Sequence, residues 1–182
     1  EHSKLIVLWG TNTKLTNRHL WPVIERARAA GARIIVIDPI RTLTADDADW
    51  FIQPLPGTDI AMMLAMMHVI IRDGLANDTW IAEHTTGYDE LRDAVADWTS
   101  ERAAAVTGVD ADVIEQLAID YATVRPAGIR TLIGAEHHEN GAMFFRTLGC
   151  LPALTGAWAE RGGGIAKSVG SYTDALIDVR AL

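Results

Sequence analysis

Residues 5–12 read LIVLWGTN, five consecutive apolar side chains followed by a glycine, a threonine and an asparagine. A strand that alternates apolar and polar residues has one wet face; one that does not is covered on both, as in parallel sheets. Gly10-Thr11-Asn12-Thr13 then breaks the run. Working outward, Leu20, Val23, Ile24 and Ala27 share one helical face, with Pro22 in the first turn and Gly31 as a C-terminal stop. Residues 33–38, RIIVID, give a second buried strand, and Trp50-Phe51-Ile52 a short third one. Thr58 is placed to cap a helix over residues 59–72, with Leu64, Met67, His68 and Ile71 on one face.

Helical patterns then follow at 79–84, 88–97, 100–106 and from 110 onward. Residues 129–134 read as strand, 143–154 as helix, and Gly162-Gly163-Gly164 as loop. Strands alternating with helices predict an α/β fold, Rossmann-like, with a mostly parallel sheet and helices on both faces. The 182 residues are read as one domain. Because the chain opens almost directly on a buried strand, it is expected to be an internal piece excised from a larger protein.

Composition narrows the function classes. Sixteen basic against twenty-four acidic residues give a net charge of −8, which argues against a general nucleic-acid or anionic-membrane surface. The single cysteine, Cys150, cannot by itself hold an iron–sulfur cluster or a structural zinc. No apolar run is long enough to predict a bilayer span, and compartment is unreadable.

In a parallel α/β sheet, ligands sit beyond the carboxyl ends of the strands where strand order reverses. The unusual residues fall there. Gly10 and Asn12 follow the first strand, and WGTN reads either as a loop facing a diphosphate or as a simple turn. It lacks the three-glycine fingerprint of an ordinary NAD site. Asp38 stands where such folds place a carboxylate for ribose hydroxyls, or it merely caps the strand. Pro56-Gly57-Thr58-Asp59 reads as a helix start or as a base reader: a carboxylate can accept guanine N1–H and the amino group together, a donor pair adenine lacks. His137 and His138 are adjacent, so on a strand they would face opposite ways and not chelate one metal. His68 and Met62, Met63, Met66 and Met67 read as packing, and Asp46, Asp47 and Asp49 as a solvated turn with one acid free to brace the neighbouring loop.

Three stretches in order, LIVLWGTN, VIDPIRTLTADDADWFIQPLPGTDIAMMLAMMHVII and GAEHHENGAMFFRTLGCLPALTGAWAERGGG, resemble the molybdopterin oxidoreductase family of the dimethyl sulfoxide reductase type. The resemblance spans nearly the whole chain. It implies a single domain over 1–182 that clasps the guanosine diphosphate end of one unit of bis(molybdopterin guanine dinucleotide), with Mo or W in the parent enzyme. On this resemblance Gly10 and Asn12 face the diphosphate. Asp38, Arg41, Thr42 and Thr44 line the ribose and phosphate side, Gly57, Thr58 and Asp59 form the guanine loop, and Gly134, Glu136 and His137 approach the pterin.

Two departures stand out. Ile40 occupies the place of the family's Asp-Pro-Arg arginine, with Arg41 next; the Arg-Thr register resembles the branch acting on S- and N-oxides. Glu136-His137 stands where many relatives carry Gln-Arg. The resemblance puts the metal ligand, any iron–sulfur cluster, the remaining domains and an electron-transfer subunit outside this chain. The isolated domain is therefore expected to be inactive and to self-associate. The competing readings are a structural subunit that keeps the fold without the metal, and an NAD-binding domain.

Overall fold

The computed structural model describes residues 1–167; residues 168–182 of the expected domain lie outside the described residues. β1 (Leu5–Trp9) leads through α1 (Thr13–Thr16) and α2 (Trp21–Ala29) to β2 (Arg33–Ile37). From there α3 (Leu43–Asp46) leads to β3 (Trp50–Ile52). The long crossover carries α4 (Asp59–Arg72), α5 (Asp78–His84), α6 (Tyr88–Val95), α7 (Ser100–Thr107) and α8 (Ala111–Thr123). It ends in β4 (Ala127–Thr131), and α9 (Gly141–Thr155) then leads to β5 (Gly164–Ala166).

Every described strand pair is parallel, in the order β3-β2-β1-β4-β5. The chain lays down β1, β2 and β3 in one direction, then returns to place β4 on the other side of β1. Order thus reverses between β1 and β4, and the crevice beyond their carboxyl ends is the position such sheets use for ligands.

The apolar runs behave as strands covered on two faces. Leu5, Val7, Trp9, Ile35 and Ile37 pack into a large core with Met62, Met63, Met66 and Met67 of α4, Leu117 of α8 and Leu148 of α9. Leu8, Ile34 and Val36 turn the other way, onto Trp21 and Ile24 of α2 and Ala45 of α3. The methionines are core residues, as expected. His68 is half-buried, its Nδ1 lying 3.1 Å from the Val95 carbonyl.

Three expectations are corrected. The strand expected at 129–134 lies two residues earlier, and Ile133–Glu136 forms a short 3-10 turn instead. The glycine run expected as loop contains the start of β5. The short helices α1 and α3 were not foreseen. The first two have one cause: among the described residues no helix covers the second face of β4 and β5. It forms instead the floor of a groove of about 260 Å³, walled by Leu20, Val23 and Ile24. β4 therefore carries Gly128 and Arg130 at positions where β1 carries Ile6 and Leu8. Gly128 is required by close packing, since a Cβ there would lie 2.8 Å from the Gly162 carbonyl oxygen.

Candidate functional site

The loops after β1, β2, β3 and β4 meet at the switch point. Gly10, at φ +60°, donates its N–H to the Ile37 carbonyl at 2.8 Å and lies against Ala135 of the turn after β4. Gly134 in that turn faces the Gly10 carbonyl in return. The β1 and β4 loops are thus in contact across the reversal of strand order.

Asp38 closes the β2 loop. Its Oδ1 accepts the Ile40 N–H at 2.9 Å, bridging Pro39, and its own N–H donates to Ile52 O at 3.2 Å. Burial pushes its carboxyl above the ordinary carboxylate range; the Ile40 N–H opposes this and the charge of Asp59 adds to it. Asp38 and Asp59 therefore belong to one electrostatic site although they come from different elements.

Asp59 opens α4 and is 9% exposed. Its Oδ1 accepts the indole N–H of Trp9, the last residue of β1, at 2.7 Å. Gly57, at φ +79°, brings the loop under the His138 ring, where an added Cβ would lie 3.1 Å from Nδ1. Gly57, Asp59, His138, Asn140 and Phe144 enclose a pocket of only about 10 Å³. Thr58 does not cap α4 as expected: its hydroxyl donates to the Leu55 carbonyl at 2.6 Å, tightening the turn before the helix.

The remaining expected residues divide. Asn12 Oδ1 accepts the Thr44 hydroxyl at 2.8 Å, and the same hydroxyl oxygen accepts the Lys14 N–H at 3.1 Å. Thr44 is fully buried and reaches the site through Asn12. Thr42 caps α3 by accepting the Ala45 N–H at 3.4 Å. Arg41 is directed to Asp46, at 3.0 Å, and over the Phe51 ring. Glu136 pairs with Lys167 at 2.6 Å, and the His137 N–H donates to Gly134 O at 3.3 Å.

The acidic turn is not merely solvated. Asp46 holds Arg41, Asp47 holds Lys14, and Asp49 accepts the Ile34 N–H at 2.7 Å. His137 and His138 lie beyond β4 and not on it. Among the described residues no three His, Cys, Asp or Glu side chains are grouped to hold a metal ion. Sequence reasoning missed Trp9 and His138. The signal for Trp9 was available: a tryptophan ending a buried strand must find an acceptor for its N–H.

The fold is Rossmann-like, with a crevice at the switch point where the strand order reverses. The family model described as molybdopterin oxidoreductase matches residues 1–177, and the chain belongs to that family. It is 42% identical over 91% of its length to the probable oxidoreductase YoaE of Bacillus subtilis, covering 24% of that protein. It is 33% identical over 95% of its length to the dimethyl sulfoxide reductase DmsA of Escherichia coli, again covering 24%. Among solved structures, acetylene hydratase from Pelobacter acetylenicus superposes with a TM-score of 0.81 at 28% identity, over 87% of this chain and 22% of that one. The chain thus spans about a quarter of the length of the curated relatives it matches.

The family implies molybdopterin with Mo or W, and the residues present fit the nucleotide end of such a group. Two carboxyl groups stand at the switch point beside glycine turns, with oxygens able to accept from hydroxyl and N–H donors. The pocket over Asp59 is too small for a purine as it stands. The atoms nearest Gly57 in it belong to the His138 side chain and not to backbone.

Proposed function

We propose that this chain is the domain of a molybdenum or tungsten oxidoreductase that holds the guanosine diphosphate end of molybdopterin guanine dinucleotide. One observation carries the reading: a buried carboxylate, Asp59, lies beside Gly57 at the switch point and within electrostatic reach of Asp38. Gly10 and Asn12 border the diphosphate, Asp38 accepts from the ribose, and Asp59 accepts from the base. Asn12 and Thr44 hold the β1 and β2 loops in register with one another, and Thr42 caps α3 beside them. Gly134, Glu136 and His137 border the pterin side. The cofactor, when bound, supplies the metal at which an oxygen atom or two electrons are transferred. S- and N-oxides are the substrate class proposed for the parent, supported by the Arg41-Thr42 register and the likeness to DmsA. Turnover needs the remaining domains, so the chain alone is inactive.

The test is calorimetric titration of GDP and ADP into the 182-residue chain and into Asp59→Asn. Adenine would set an acceptor nitrogen against the carboxylate, so GDP should bind about tenfold or more tightly, the scale of one charge-assisted hydrogen bond. Asp59→Asn keeps an oxygen for Trp9 but turns an NH₂ donor toward the base donors, and should abolish the preference. Equal affinities in the wild type overturn the guanine assignment.

A further inference from the structure

We propose that Trp9 is the positioning residue of base selection: its indole N–H orients Asp59 so that the carboxylate presents its free acceptor sites to a guanine edge. This rests on the guanine reading above and goes beyond it, because Trp9 belongs to a strand that carries none of the residues assigned to the base. An indole N–H only donates, and a carboxylate oxygen keeps a second lone pair after accepting once. The 2.7 Å bond therefore fixes the rotation of the carboxylate about its Cβ–Cγ bond without exhausting either oxygen. No second hydrogen bond to Asp59 Oδ1 or Oδ2 is made among the described residues.

The donor is itself immobile. Trp9 is 1% exposed and is paired in register with Ile37 on one side and Thr131 on the other. Its ring meets Phe144 edge to face, with centroids 6.3 Å apart. Asp59 thus takes its orientation from the centre of the sheet and not from the loop that carries it. Adenine sets an acceptor nitrogen beside its one amino donor at that edge, so it can make at most one of the two bonds that guanine makes.

A purely structural Trp9 would satisfy its own N–H and no more, so the test must separate stability from selectivity. Trp9→Phe keeps an aromatic ring against Phe144 and removes the donor. GDP and ADP affinities are measured by calorimetry in the wild-type chain and the variant, with a thermal melt beside them. The expected result is a GDP-to-ADP preference reduced roughly tenfold, the scale of one charge-assisted bond. An unchanged ratio, whatever the melt shows, overturns the positioning role and leaves the guanine reading intact. Equal GDP and ADP affinity in the wild type, or binding of neither, overturns the guanine reading and this inference with it.

A second measurement needs no variant and stands if Trp9→Phe does not fold. The Trp9 indole ¹H–¹⁵N resonance should shift on saturation with GDP and stay in place with ADP. An indole resonance that does not respond to preferentially bound GDP overturns the proposal.

Discussion

Two carboxylates from different elements share the crevice, and their environments differ. Asp59 has a buried donor in Trp9, whereas Asp38 has one backbone N–H and is raised mainly by burial. A carboxyl whose folded pKa lies above its ordinary value of 3.8 contributes stability that is fully present below that value. That contribution is lost as pH rises through the raised folded value, where a desolvated charge facing Asp59 must form. Asp38→Asn keeps an oxygen for the Ile40 N–H and carries no charge. It should therefore be more stable than wild type at neutral pH in urea melts, with the gap closing as pH falls below about 4. Its nucleotide affinity should fall at the same time, since Asn is a poorer acceptor for ribose hydroxyls. His138 makes a separate prediction. Its ring fills the space above Gly57, so His138→Ala should speed GDP association in stopped-flow fluorescence, with little change in melting temperature. A slower association would make the ring a base contact and not a plug.

At the scale of elements, legibility followed coverage. LIVLW and RIIVI were readable because helices bury both faces of β1 and β2, and such strands must be apolar throughout. β4 was misplaced and β5 was missed because, among the described residues, no helix covers one face of each. There Gly128 and Arg130 break the pattern, and Ile133, an exposed loop residue, mimics its continuation. α1 and α3 were missed because four-residue helices carry no periodicity. They form through contacts the sequence does not display, namely the Thr44 hydroxyl between Asn12 and the Lys14 N–H, and Asp46 and Asp47 on Arg41 and Lys14. Within the candidate site, the positions of Gly10 and Asp38 just after strands could be read from the sequence, whereas the contacts of Trp9 with Asp59 and of His138 with Gly57 join residues far apart in the chain. The α1–α3 join predicts that Thr44→Val, close in shape, leaves the Lys14 N–H without its partner. It should cost about 1–3 kcal/mol in denaturant unfolding, the range for an orphaned buried polar group. Thr42→Ala removes a longer, more exposed cap bond and should cost less, near the low end of about 0.5–2 kcal/mol.

At the scale of the whole molecule, two apolar surfaces stand out among the described residues, and they make different predictions about association. One is the groove over β4 and β5, walled by Leu20, Val23 and Ile24. The other is the rim of the candidate site, where Leu15, Ile40, Leu43, Leu55, Ile133 and Met143 are all about half exposed or more. These six lie in the segments that follow β1, β2, β3 and β4. An edge that borders the crevice and exposes large apolar side chains is the kind of surface that drives association. In isolation it should drive concentration-dependent self-association, readable by light scattering. The net charge of −8 opposes this, so added salt should strengthen association by screening repulsion, the reverse of an ion-pair interface. The double variant Ile40→Glu with Leu43→Glu adds repulsion at the rim and should return the chain to monomer. If the groove is responsible instead, that variant will still associate and Val23→Glu will not. A wild-type chain that stays monomeric at high concentration and high salt would show that neither surface is sticky enough to need a partner.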